Sequence, residues 1–156
     1  MGKDLNKNQM DIIPYDSSAV QGYLSILQSV ISRMSSNSAG CKTWCVTIIS
    51  AMLVFILNKG KPTHIWIAMI PLFLFLVLDS YYLGLERHFR QIYNNFIQKL
   101  HSHNVKVNDL YLLVPHTDYC SSIKSTIHAF YSLSIWPFYG LIAIMLIIVR
   151  IAVNGK

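Results

Sequence analysis

Charged side chains are scarce: Asp, Glu, Lys and Arg make up 13% of the 156 residues. Soluble domains usually carry about 25%, so this composition argues against a water-soluble globular unit. Acidic residues are the scarcer sign, 7 against 13 Lys and Arg, for a formal charge of +6. That excess suits anionic lipid headgroups. No aromatic-plus-basic motif supports a nucleic-acid surface. Cysteine occurs three times, as Cys41, Cys45 and Cys120. An odd count with no tight framework excludes a disulfide-stapled secreted domain. There is no glycine loop for phosphate, no Walker-type lysine and no serine-nucleophile motif. There is no internal repeat and no low-complexity stretch. The first eighteen residues hold no apolar run, so no cleaved signal peptide is expected. Met1-Gly2-Lys3-Asp4-Leu5-Asn6 lacks the hydroxyl residue that a myristoylation signal places sixth.

Apolar side chains are abundant. They form 53% of the chain, with mean hydropathy +0.41, and they come in blocks. One compact unit fits the length. The expected fold is an all-α membrane protein. Residues 1–16 read as a polar tail and 17–156 as a single helical membrane domain. Asp16 or Ser17 stands where a helix cap belongs. Val20, Tyr23, Leu24, Leu27, Val30, Ile31 and Met34 recur at helical spacing, which predicts an amphipathic helix over 17–36. That stripe either covers the rest of its own protein or forms an interfacial or oligomeric face. Asn37-Ser38-Ala39-Gly40 reads as a break or bend. Membrane segments follow at about 43–57, 63–85 and 129–149. Pro71 is expected to kink the second, and Pro137 with Gly140 the third.

The apolar pattern does not stop at Leu85. Phe89, Ile92, Phe96 and Leu100 continue it with one wet face, so the second helix is expected to run from 63 to about 101 and to project from the bilayer. The run Leu110–Val114 reads as a short extended segment or helix turn. The basic residues divide nine to four if all three segments span. Lys3, Lys7, Arg33, Lys42, Arg87, Arg90, Lys99, Lys106 and Lys124 fall on one side, and Lys59, Lys61, Arg150 and Lys156 on the other. This places the N-terminus and the 86–124 region in the cytoplasm.

An antiparallel hairpin brings the start of its first span beside the end of its second. Lys42 is then near the depth of Asp79, and Arg33 near Glu86. The expected polar seam is Arg33, Asn37 and Lys42 facing Asp79, Glu86 and Arg90. Glu86 and Arg90 can also pair within one helix. The seam either holds the fold or acts as a gate whose ion pairs break when the spans move.

The same residues carry a resemblance. Gln28-Ser29-Val30-Ile31-Ser32-Arg33-Met34, Asn37-Ser38, Lys42 and Trp44 form its first part. Leu78-Asp79-Ser80-Tyr81-Tyr82-Leu83, Glu86-Arg87 and Phe89-Arg90 form its second. Over about residues 20 to 97 this pattern resembles small bacterial membrane proteins of antiphage defence loci. These include accessory membrane proteins of type VI CRISPR loci and two-helix pore-forming effectors. The resemblance implies an oligomeric effector in the inner membrane that forms a pore or permeabilises it. A ring of protomers would be required, with Arg87, Arg90 and Lys99 lining a cytoplasmic vestibule. The expected partners are the lipid bilayer, other copies of the chain, and a defence-system protein or nucleic acid. A membrane-anchored scaffold that recruits a soluble partner is the alternative.

Catalysis is not expected. Some proteins of that neighbourhood are divergent ribonucleases with an Arg-x4–6-His motif, and no histidine follows Arg33, Arg87 or Arg90 at that spacing. His101, His103, His116 and Cys120 show no second ligand pair and read as surface residues rather than a metal site. No cofactor and no small-molecule substrate is expected.

Overall fold

Ser17 starts the first helix. Its Oγ accepts a hydrogen bond from the Val20 amide at 3.3 Å, and its carbonyl accepts one from Gln21 at 3.2 Å. This is an N-cap, in which a hydroxyl satisfies an amide that has no partner earlier in the helix. The computed structural model describes residue 14 and residues 17–59, 65–102, 105–111 and 134–154. The tail expected at 1–16 lies almost wholly outside them, as do Lys61, His103, His116, Cys120 and Lys124. Three helices form the frame: α1 (Ser18–Lys59), α2 (Ile65–His101) and α3 (Trp136–Asn154). A 3-10 turn covers Val107–Asp109. All three helices are long and apolar enough to cross a membrane.

The expected break at Asn37–Gly40 does not occur. One helix of 42 residues runs through it, about 63 Å at 1.5 Å per residue. The amphipathic helix over 17–36 is therefore the first half of α1. Break-prone residues cost at most about 1 kcal/mol each in a helix interior, and packing against α2 outweighs that here. The buried stripe passes through Ser38, Cys41, Cys45 and Ile49 without a phase change. Gly40 serves no close approach, because a Cβ there would meet no atom within 4 Å. Gly40→Ala should therefore stabilise the fold by about 0.5–1 kcal/mol, read as a raised thermal midpoint in detergent. A lowered midpoint would mean that α1 needs a glycine at this point.

Helix α2 has 37 residues and contains Pro71. Its span agrees with the long second helix expected from the apolar pattern. It packs antiparallel to α1. Tyr23 meets Phe96 edge to face with centroids 4.8 Å apart, the Gln28 amide donates to the Tyr93 hydroxyl at 3.3 Å, and Lys42 reaches Asp79. Gln28 and Lys42 are as far apart along α1 as Asp79 and Tyr93 are along α2, so the register holds over four helical turns. Helix α3 begins at Trp136, with Ser134 and Ile135 in a turn before it. That is later than the 129 expected for the third segment. Pro137 consequently sits in the first turn, where a missing amide costs nothing, and not at a mid-helix kink. The Tyr139 hydroxyl donates to the Phe75 carbonyl at 3.1 Å, and the Arg150 guanidinium lies 4.7 Å from the Trp66 ring centroid. These contacts run α3 antiparallel to α2.

The described residues form two separate cores. One joins all three helices through Cys45, Ile49, Ile56, Ala68, Leu72, Tyr139, Ile142 and Leu146. The other joins the far ends of α1 and α2 through Val20, Tyr23, Leu27 and Phe96, closed by Val105. The segment after α2 folds back over this second core. Tyr111 packs on Tyr23 with centroids 5.9 Å apart, from a left-handed φ of 61°. Lys99 anchors the turn through Asp109 at 2.7 Å. Its hydrogen bond holds the Asp109 carboxyl below the usual value, against a smaller opposing effect of burial.

Outward-facing apolar side chains surround the first core only. Among the described residues, every large exposed hydrophobic except Ile26 and Tyr111 lies within 44–57, 66–81 or 136–151. The three tryptophans mark the ends of this belt. Trp44 and Trp136 lie at the end where Asp79 sits, and Trp66 lies at the other. Aromatic side chains favour such positions at the boundary between hydrocarbon and headgroups.

Candidate functional site

Polar side chains are buried where the two cores meet: Ser38, Asp79, Ser80 and Glu86. Ser80 satisfies itself by donating to the Leu76 carbonyl at 2.7 Å. Asp79 is the centre of the group and is 0% exposed. Ser38 Oγ donates a short hydrogen bond to Asp79 Oδ1. Lys42 Nζ stands 2.6 Å from Asp79 Oδ2 and 3.3 Å from Ser38 Oγ. Ser38 and Lys42 are one turn apart on α1, so a single helix face delivers both groups. The Lys42 side chain is 23% exposed, and its stem lies along the helix while the ammonium turns inward. Oδ2 has this ammonium as its charge partner but no aligned hydrogen-bond donor among the described residues. Tyr139 closes the third side, since its hydroxyl bonds Phe75 one turn before Asp79. All three helices therefore converge on one carboxylate.

Glu86 lies two turns further along α2. Its Oε1 accepts from Arg90 Nε at 2.8 Å and lies 2.8 Å from Arg90 Nη2. The pair within one helix is thus the one that forms. Arg33 and Asn37 are not in the seam. Both are exposed, and neither has an ion pair or side-chain hydrogen bond among the described residues. The reason is angular. The inward stripe of α1 passes through Leu27, Ile31, Met34 and Ser38, and Arg33 lies one residue, about 100°, off it. The hairpin puts Arg33 at the height of Glu86 but turns it to the surface. Single and double alanine substitutions at Arg33 and Glu86 should therefore add within about 0.5 kcal/mol, measured from unfolding midpoints in detergent. A coupling clearly above that would show that the two side chains meet.

Ser38 and Tyr139 are the site residues that the sequence reading passed over. Ser38 carried a usable signal, being one turn before Lys42 on the inward stripe. Tyr139 carried none, because nothing local shows which height of α2 it meets. Of the three cations expected in a vestibule, Lys99 is committed to Asp109, Arg90 is paired with Glu86, and Arg87 is half-buried on α2. His101 is exposed at the end of α2.

Among the described residues, the Ser38, Ser80 and Tyr139 hydroxyls at the site each donate to a carboxylate or a carbonyl. The fold is all-helical over the described residues, with three membrane-length helices, two of them joined by a buried Lys–Asp pair and the third packed beside it. No family model matches the chain, and neither does any curated protein or solved structure.

Proposed function

We propose that this chain is an oligomeric membrane effector or accessory protein of bacterial antiviral defence that opens or permeabilises the inner membrane. The observation that carries the reading is the Lys42–Asp79 pair, fully buried on the Asp79 side, at the rim of the apolar belt where three helices meet. Ionisable groups at membrane depth are costly and tend to mark function. A clamp of this kind has two states, paired and broken, and breaking it loosens α1 from α2 where α3 packs beside them. The short belt adds support. From Trp66 to Tyr81 the rise is about 22 Å at 1.5 Å per residue, against a hydrocarbon thickness of about 30 Å. Such a mismatch thins the bilayer around the protein. The likeness of residues 20 to 97 to membrane proteins of antiphage loci supplies the biological setting. The N-terminus is cytoplasmic in this reading, following the nine-to-four division of basic residues, and Arg87 and Lys99 border the vestibule. No reaction is assigned.

Dye entry and loss of membrane potential on phage challenge are the expected results in cells carrying the chain and its neighbouring genes. An intact potential during successful defence would overturn the reading. The alternative is a membrane-anchored scaffold, and the second core favours it, because a folded hairpin standing clear of the belt offers a surface to a soluble partner. In that case a partner co-purifies while conductance stays absent. The mass of the detergent-purified particle decides whether protomers form a ring.

A further inference from the structure

Above the clamp, α1 and α2 border an open surface cleft of about 610 Å³. Its polar lining is Gln28, Ser32, Ser35 and Ser36 from α1 and Arg90 and Asn94 from α2. No carboxylate is among the residues that line it. We propose that this cleft binds a phosphate ester, with Arg90 and the serine hydroxyls as its donors.

The donor chemistry is specific. Glu86 holds Arg90 through Nε and Nη2 on one carboxylate oxygen. Glu86 is buried and holds one edge of the guanidinium, while the Arg90 side chain is 59% exposed and Nη1 has no partner among the described residues. A planar guanidinium matches two oxygens of a phosphate in a way that a flexible ammonium does not. Three hydroxyls within little more than one turn of α1, Ser32, Ser35 and Ser36, supply short-armed donors for the remaining oxygens. The Gln28–Tyr93 hydrogen bond at 3.3 Å closes the end away from the belt. The volume suits a phospholipid headgroup or a mononucleotide.

Depth is the second argument. Ala39 also lines the cleft, and it is adjacent to Ser38, the Asp79 partner. The floor of the cleft is therefore level with the clamp and with the tryptophan-marked rim of the belt. The cleft runs outward from that rim, and Arg90 stands eleven residues beyond Asp79 on α2, about 16 Å of rise. One phosphate chemistry can thus arrive either from a lipid in the bilayer or from a free ester in solution. An occupant would bridge α1 and α2 on the side of the clamp away from the belt. This inference stands apart from the pore reading, since a scaffold could carry the same site.

The test uses the full chain purified in detergent. Native mass spectrometry measures retained phosphatidylglycerol against phosphatidylcholine, and equilibrium dialysis measures AMP. Wild type is compared with Arg90→Gln and with the double variant Ser35→Ala/Ser36→Ala. The serines are exposed and alanine is the better helix former, so the double variant keeps the fold even if Arg90→Gln loosens it. Selective phosphatidylglycerol retention, weakened at least about tenfold in the variants, supports the site and assigns a lipid source. AMP binding with the same loss, and no lipid selectivity, supports the site and assigns a soluble source. Binding of neither probe tighter than about 1 mM, or binding unchanged in both variants, overturns it.

Discussion

Replacing Lys42 with methionine should cost the folded chain about 3–5 kcal/mol, the range seen when one partner of a buried ion pair is removed. Asp79 is fully buried and has Ser38 Oγ as its other donor. Without the ammonium it must either stay charged in an apolar surround or take up a proton, and both are costly. Asp79→Asn should cost less. The Lys42 side chain is already 23% exposed, so its ammonium can turn towards water or headgroups once the carboxylate is gone. The asymmetry comes from geometry: one partner has an exit and the other has none.

A double replacement, Lys42→Met with Asp79→Leu, should recover much of the loss. Buried ion pairs are often no better than apolar side chains of similar volume, because desolvation offsets most of the attraction. Unfolding in detergent, followed by helical circular dichroism, gives the four corners of the cycle. A loss from Asp79→Asn equal to that from Lys42→Met would mean that Asp79 reaches water. A double variant no better than Lys42→Met would mean that the pair itself stabilises the fold beyond its packing. If the double variant folds yet no longer depolarises cells, the clamp serves the opening and not the fold.

The clamp shows what the sequence could reveal. The partnership of Lys42 with Asp79 follows from counting residues back from a short turn, because an antiparallel hairpin fixes height at 1.5 Å per residue. Height alone also suggested Arg33 with Glu86, and there it misled, since a helix position is set by angle as well as by rise. The angle was available in the stripe Leu27, Ile31, Met34 and Ser38, which leaves Arg33 outside. The continuity of α1 was less accessible. Asn37, Ser38 and Gly40 all weaken a helix locally, and what overrides them is the carboxylate that Ser38 meets on another helix. Local propensity carries no information about that partner. The late start of α3 is different again: an apolar run shows that a segment is greasy, but Pro137 shows where its first turn falls.

The division into two cores predicts a second large and separable effect. Phe96→Ala removes a ring that is buried against Tyr23 at 4.8 Å. Aromatic-to-alanine changes in well-packed cores cost about 3–5 kcal/mol. The second core is small, built on Val20, Tyr23, Leu27, Phe96 and Val105, so a loss of that size should open it. The first core shares none of these residues. Between them lie Asp79, tied to Ser38 and Lys42, and Glu86, tied to Arg90, by the hydrogen bonds and ion pairs described above. Hydrogen exchange in detergent should therefore speed up across 18–34, 89–101 and 105–111, while 45–56 and 66–78 stay protected. Such a result would define two cooperative units within the same pair of helices. Uniform loss of protection along α1 and α2 would show instead that the hairpin unfolds as one body. In that case the buried charges would not act as a boundary between a membrane half and a polar half, and a change at the far end of the hairpin could reach the clamp directly through the helices.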